Sequence, residues 1–194
     1  MIKRHAAAVA AIAILIPALG GCSVTNRDSD PADASTASAT LNTTFTTLMP
    51  GLLEVAATGA ELGLKRVREE TCLRPEDADP QTRTAWIGWA EGAVRDPTAG
   101  NRALDALDAK VTAEGWEKKN ETVAPAGELG DIRTLYFNKD GLGLTAGLYR
   151  TAEQETMDIK LSSPCTDQPM EHRMQRSELD PEHGSSSQYY DDGK

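Results

Sequence analysis

Apolar positions in the first half of the chain predict a helix. Large apolar residues recur at alternating steps of four and three, which places them on one side of a helix: Leu41, Phe45, Leu48, Leu52, Val55 and Leu62. Pro50 interrupts this series, and proline removes a backbone N–H and restricts the preceding residue. We therefore expect either one kinked helix or two shorter helices that meet at residues 49–51 and end near Gly63.

A second helix is predicted after Asp96. This residue is a favourable N-cap, and Pro97 is favourable in the first turn. The apolar stripe that follows has helical spacing, and Gly115 is placed to end the helix. The stripe consists of Ala103, Leu104, Leu107 and Val111.

Alternating apolar and polar residues predict strands elsewhere. In residues 156–163, Met157, Ile159 and Leu161 share one face, whereas polar residues occupy the other. Similar patterns occur in residues 66–73, 83–94, 131–138 and 142–150. Residues 116–123 are strongly charged, which is typical of an edge strand.

The predicted order of elements defines a fold class. One helix precedes two strands, and a second helix precedes four more strands. Because the strands have one apolar and one polar face, we expect the helices to cover one side of the sheet. The sequence therefore predicts an α+β domain with an antiparallel sheet of about 5–6 strands and two helices packed on one face.

The N-terminus predicts export. Lys3 and Arg4 precede an uncharged run from Ala6 to Leu19. A helix that spans a bilayer needs about 20 apolar residues, so this run is too short. A basic start, a short apolar segment and a small-residue ending are typical of a secretory signal.

The end of this signal resembles the lipobox of bacterial lipoprotein precursors, carried by Leu19, Gly20, Gly21 and Cys22. The resemblance implies that residues 1–21 are removed and that Cys22 receives the lipid, including a palmitate-type acyl chain. It places the protein at the cell membrane, on the extracytoplasmic face. An ordinary cleaved signal with an incidental cysteine, or an uncleaved anchor, are the alternatives.

Composition divides the rest of the chain. Residues 22–40 comprise the lipidated cysteine and a polar stretch, which we expect to be a disordered tether. Residues 41–165 form a single α+β domain, and the polar residues 166–194 are expected to be a disordered tail. The order of elements weakly resembles small actinobacterial lipoproteins of the LppA-like group. That resemblance implies no activity and no site residues.

The remaining cysteines predict a disulfide. Cys72 and Cys165 form an even pair in a chain that the signal directs to an oxidising compartment. We expect them to be bonded and to close the domain; two buried free thiols are the alternative.

Charge excludes some partners. The precursor has a formal charge of −10, and loss of Lys3 and Arg4 with the signal makes it about −12. Nucleic acids and anionic lipid surfaces are therefore unfavourable ligands, because both require clustered positive charge.

Histidine positions argue against several enzyme mechanisms. His5 is lost with the signal, and His172 and His183 lie in the expected tail. Serine and cysteine triads and zinc hydrolases depend on positioned imidazoles. We therefore expect no catalytic residues, no metal and no cofactor. A carboxylate pair drawn from Glu91, Asp96 or Glu114 remains the enzymatic alternative.

Two tryptophans are the candidate binding residues. Trp86 and Trp89 are three positions apart on a predicted strand, so they point to opposite faces and one of them meets solvent. The sequence as a whole predicts a non-enzymatic binding or interaction domain at the cell envelope, with an envelope protein as partner. The alternatives are a carrier of a lipid or small apolar ligand, and a carboxylate-dependent cell-wall or sugar hydrolase.

Overall fold

The computed structural model describes residues 31–76, 79–125, 131–150 and 154–192. This part of the chain contains two α-helices and seven strands. They are α1 (Pro31–Ala56), β1 (Ala60–Thr71), β2 (Arg83–Val94), α2 (Pro97–Ala113), β3 (Glu117–Pro125), β4 (Asp131–Lys139), β5 (Leu142–Arg150), β6 (Glu155–Ser162) and β7 (Thr166–Asp167).

The strands form one antiparallel sheet with the order β1-β2-β6-β5-β4-β3, and β7 pairs with β2. Both α-helices pack on the same face and share one hydrophobic core with it. The sheet does not close, and the charged strand β3 lies at one edge, largely exposed. The predicted α+β class is therefore confirmed.

Apolar and polar residues alternate along the strands, so the apolar face of each strand packs in the core. Met157, Ile159 and Leu161 of β6 are all fully buried against the helices. The backbone of β2 approaches α1 closely at Gly88, where an added Cβ would lie 2.7 Å from Met49 Sδ. A larger residue at this position would push the helix away from the sheet.

Asp96 acts as the predicted cap, and local sequence also determines the turn between β4 and β5. Asp96 caps α2 by accepting a hydrogen bond from the backbone N–H of Ala99 at 2.8 Å. The hairpin between β4 and β5 turns at Asp140 and Gly141, whose φ angles of 51° and 82° are both left-handed. Such angles are typical of the type I′ turn, which matches the twist of the flanking strands.

The predicted disulfide between Cys72 and Cys165 is confirmed. Cys72 follows the end of β1, and Cys165 precedes β7. The bond closes a loop with a sequence separation of 93 residues. It therefore fixes the end of β1 to the chain that leaves β6.

Helix α1 differs from the prediction at both ends. It begins at Pro31 rather than near Leu41, so residues 31–40 belong to the domain and not to a disordered tether. One helix continues through Pro50 and ends at Ala56. It ends before Gly59, which packs closely against α2: an added Cβ there would lie 2.1 Å from the Ala99 carbonyl oxygen. Leu62 consequently belongs to β1.

Residues 166–192, the C-terminal segment, fold against β1 and are not a disordered tail. The segment adds backbone hydrogen bonds to the outer edge of β1, from Glu69 N–H to the Gln175 carbonyl and from Ser177 N–H to the Val67 carbonyl, both 2.9 Å. Asp180 accepts another from Val67 N–H at 2.8 Å. The segment has few large apolar residues, and backbone pairing and buried polar contacts hold it instead.

Candidate functional site

The two candidate tryptophans lie on opposite faces of β2, as their spacing predicts. Trp86 faces the helices and is only 1 % exposed. Its indole N–H donates to Ser38 Oγ at 3.1 Å, and its ring lies 6.0 Å from that of Phe45. The prediction that Trp86 is an available binding aromatic is therefore wrong, because the N-terminal turns of α1 cover it.

Trp89 lies on the face of the sheet that the helices leave uncovered, and it is half-buried. The guanidinium of Arg66, directly opposite on β1, stacks over its ring at 4.6 Å. A cation above an aromatic face is attracted by the ring quadrupole. Trp89 therefore presents a stacked pair to solvent rather than a free ring.

The other predicted residues have different outcomes. Cys22 lies outside the described residues, and Cys72 and Cys165 are joined in the disulfide. Asp96 is the cap of α2, and Glu114 pairs with Lys110 at 2.7 Å. Of the three acids considered for catalysis, Glu91 alone has a second carboxyl group opposite it on the neighbouring strand.

One histidine of the supposed tail reaches the core. His172 Nε2 lies 2.8 Å from Glu69 Oε2, and the Glu69 side chain is 1 % exposed. The other oxygen of Glu69 accepts the Ser38 hydroxyl at 2.6 Å, and Oε2 also accepts the Gln175 N–H at 2.9 Å. The expectation that no histidine contacts the folded core is therefore wrong.

The hydrogen-bond directions in this buried network suit a structural role. A serine nucleophile needs its hydroxyl proton directed at a base that can take it, normally an imidazole. Here the Ser38 hydroxyl donates to the Glu69 carboxylate and accepts from Trp86. Ser38 is itself 2 % exposed. The network joins α1, β1, β2 and the C-terminal segment, and it holds Ser38 away from solvent.

The uncovered side of the sheet, called the open face here, carries a continuous row of side chains. The strand registers align one outward residue from each of the six long strands. In spatial order they are Arg66, Trp89, Lys160, Thr145, Tyr136 and Asn120. Cationic, aromatic and hydroxyl groups therefore lie side by side across the sheet.

The adjacent row holds two carboxyl groups. Glu91 of β2 lies directly opposite Asp158 of β6, and Gly147 of β5 lies on the other side of Asp158. Cross-strand neighbours have Cβ atoms about 4.5–5.5 Å apart, so the two acids are close. Burial, and next the charge of Glu91, raise the pKa of Asp158 to about 6.

Asp158 is unusually placed for a residue on an open face. Its Oδ1 atom is buried and has no hydrogen-bond partner within the described part of the chain. A buried unpaired carboxylate oxygen is costly, and protonation is one way to reduce that cost. Asp158 therefore keeps its proton to a higher pH than an ordinary aspartate does.

Two tyrosines lie on the strands beyond Asp158, on the side of it away from Glu91. Tyr149 on β5 is 50 % exposed, and Tyr136 on β4 is 37 % exposed. Partial burial, followed by the charge of Asp158 and the nearby Tyr136, raises the pKa of Tyr149, so its phenol stays protonated. Exposed tyrosines combine a flat apolar ring with a hydrogen-bonding group, which suits them to binding surfaces.

Sequence reasoning identified Trp89 and Glu91 but missed Asp158, Tyr136 and Tyr149. Alternation placed Asp158 on the polar face of its strand, without marking it further. The pairing of β2 with β6 brings it to Glu91, and that pairing joins residues 67 positions apart in the sequence. These residues could have been found from the polar faces of the predicted strands, because an acid and two tyrosines occur on strands of the same sheet.

Comparison of the chain with protein-family models, curated proteins and solved structures finds no match. Among the described residues, no group of three or more histidine, cysteine, aspartate or glutamate side chains is arranged to hold a metal ion. Neither helix in the described ranges is long and apolar enough to cross a membrane.

Replacing Glu91 with glutamine tests the acid pair. Glu91→Gln removes a negative charge beside Asp158, so we expect the pKa of Asp158 to fall below its value of about 6. NMR titration of the Asp158 side-chain carboxyl carbon measures this change directly. Glu54→Gln, on the exposed side of α1, is the matched control and should leave that pKa unchanged.

The same pair determines how stability depends on pH. The folded chain keeps a proton on Asp158 at pH values where the unfolded chain has lost it, so stability falls as pH rises between about 4 and about 6. Glu91→Gln should flatten this fall in urea unfolding measured across that range. An unchanged Asp158 titration in Glu91→Gln would mean that the two carboxyl groups do not interact.

Proposed function

We propose that this protein is a lipoprotein of the cell envelope, anchored through Cys22, whose open face binds a partner protein. The lipobox at residues 19–22 supports the anchor, and the disulfide fits an oxidising extracytoplasmic compartment. The observation that carries the binding role is the Glu91–Asp158 pair with Tyr136 and Tyr149 on the uncovered side of the sheet.

The distance to the membrane is bounded by chain length. Nine residue steps separate Cys22 from Pro31, where α1 begins. Even a fully extended chain covers at most about 3.3–3.6 Å per residue, so this stretch spans at most about 30 Å. An anchored domain would thus act close to the lipid headgroups, on partners that are themselves at the membrane surface.

The open face fits a protein partner with basic side chains. Tyrosine, tryptophan and arginine are the residues that most often dominate protein interfaces, and this face offers all three. Glu91 and Asp158 would accept hydrogen bonds from a lysine or arginine of the partner, while the tyrosines pack against its neighbouring residues. The overall charge of −10 in the precursor favours the approach of such a partner.

The described core gives less support to a carrier of lipid or small apolar ligands. The space between the sheet and the helices is filled with interlocking side chains from all elements that face it. Trp86, Leu104 and Leu148 are among the fully buried ones. A ligand in that position would have to displace them, so we prefer the surface as the binding site.

Cys22→Ser tests the anchor. The substitution removes the thiol that would receive the lipid, so the protein should move from the membrane fraction to the soluble fraction of cells that express it. Two acyl chains hold a protein stably at a bilayer, whereas none gives no anchor. Fractionation followed by immunoblotting measures the change, and Ser23→Ala is a neighbouring control that should stay with membranes. Retention of Cys22→Ser in membranes would contradict lipidation.

Tyr149→Ala and Asp158→Asn test the open face. A photo-crosslinking amino acid at position 145, in the same face, is used to capture the partner, which is then purified and titrated against each variant. Each substitution should weaken binding by about tenfold or more. Tyr189→Ala is the matched control, because Tyr189 is a comparably exposed tyrosine in the C-terminal segment. Equal affinity for the open-face variants and the control would show that another surface binds.

The acid pair also favours a second candidate function, carboxylate-dependent glycoside hydrolysis. Such enzymes use one protonated and one ionised carboxyl group, and the raised pKa of Asp158 beside Glu91 provides this combination. In this role Asp158 is the general acid, and Tyr149 supports the sugar ring.

Activity against isolated cell-wall glycan tests this second function. Release of reducing ends by the intact domain should fall by about 10²- to 10⁴-fold in both Glu91→Gln and Asp158→Asn, the range typical for loss of an acid or base. Glu61→Gln, an exposed acid elsewhere on β1, should retain activity. Glycan release that persists in both variants would exclude the pair as catalysts.

A further inference from the structure

A cleft lies between α1 and the C-terminal segment, separate from the open face. It encloses about 620 Å³ and opens to solvent. The helix lines it with Asn42, Thr43 and Thr47, and the segment lines it with residues that include Arg176, His183 and Asp192. We call it the α1 cleft. Its volume lies within the range typical of small-molecule sites, about 300–1,000 Å³.

The lining residues determine which ligands fit. All the described side chains that line the α1 cleft are polar, so an apolar ligand would gain little by entering. Three carboxylates, those of Glu178, Asp191 and Asp192, outnumber the cationic groups of Arg176 and His183. The cleft is therefore net negative whether or not His183 is protonated, and it disfavours anions.

Two of the side chains that line the cleft, those of Arg176 and Asp192, are largely buried. Their side chains are each only 5 % exposed, and Arg176 Nη1 donates to Asp192 Oδ2 at 3.1 Å. The backbone N–H of Gly184 donates to the same oxygen at 2.7 Å. Asp192 Oδ1 and Arg176 Nε are buried and have no partner among the described residues. Each member of this ion pair thus keeps one buried polar atom without a partner.

The helix side of the cleft is lined by hydroxyl groups. Thr43 Oγ1 donates to the Ala39 carbonyl at 3.1 Å, and Thr47 Oγ1 donates to the Thr43 carbonyl at 2.8 Å. Because their protons are used within the helix, their lone pairs remain to accept from a ligand. Thr46 and Ser177 hydroxyls, 2.7 Å apart, link the two walls of the cleft.

We propose that the α1 cleft binds an uncharged saccharide of about disaccharide size. Each sugar hydroxyl is both a donor and an acceptor, which matches a wall of acceptor oxygens beside amide and guanidinium donors. Ligand hydroxyls accept from the Asn42 amide and donate to the exposed hydroxyl oxygens of Thr43 and Thr47, while the buried ion pair supports the opposite wall. This site is separate from the open face and does not depend on the proposed partner protein.

NMR titration of the protein with a panel of neutral disaccharides tests the site. The probes are cellobiose, maltose, lactose and diacetylchitobiose, and cellobiouronic acid serves as the negatively charged counterpart. At least one neutral probe should shift the resonances of Asn42, Gln175 and His183. The charged counterpart should bind more weakly by about tenfold, because the cleft is net negative.

Two surface substitutions localise the binding without disturbing the buried Arg176–Asp192 pair. Asn42→Ala removes an amide donor, and Thr47→Val removes a hydroxyl acceptor while keeping the shape of the side chain. Each should weaken the binding of the disaccharide by about three- to tenfold. Thr40→Val, an exposed threonine of α1 outside the cleft, is the matched control and should leave affinity unchanged.

Three results would overturn the proposal. The first is that no neutral disaccharide shifts the cleft resonances at millimolar concentration. The second is equal or tighter binding of cellobiouronic acid, which contradicts the charge argument. The third is that Asn42→Ala and Thr47→Val bind as tightly as Thr40→Val, which places the saccharide elsewhere.

Discussion

The described domain depends on the hydrogen bonds that surround the buried carboxylate of Glu69. A carboxylate this deeply buried is costly unless hydrogen bonds replace its water. Ser38 from α1, and His172 and the Gln175 N–H from the C-terminal segment, supply those bonds. Through Ser38 the network extends to the indole of Trp86. One side chain on β1 therefore gathers two parts of the chain that local sequence patterns assign to flexible ends.

Sequence patterns predicted the helices and strands well where neighbouring residues determine them. The alternation of Met157, Ile159 and Leu161 places β6 correctly, and Asp96 begins α2 as its capping role requires. The type I′ geometry at Asp140 and Gly141 follows from residues that tolerate a left-handed backbone. The expectation of an oxidising compartment, together with an even pair of cysteines, predicted the bond between Cys72 and Cys165.

The parts of the structure that the sequence did not predict depend on contacts between residues far apart in the chain. The first turns of α1 contain mostly small and polar residues, and the burial of Ser38 is explained by its hydrogen bonds with Glu69 and Trp86, which lie 31 and 48 positions away. The C-terminal segment resembles a disordered tail because its stabilising groups are polar: Arg176, Ser177 and Asp180 are all buried. Likewise, nothing local to Asp158 indicates that Glu91 lies opposite it.

The position of the C-terminal segment has a consequence for self-association. It occupies the hydrogen-bonding edge of β1 from Val67 to Glu69. Strand β3 lies at the other edge of the sheet, and its charged side chains disfavour pairing with another strand. A second molecule could therefore pair along Val67–Glu69 only by displacing the C-terminal segment. The segment thus acts as a built-in cap on that part of the sheet edge.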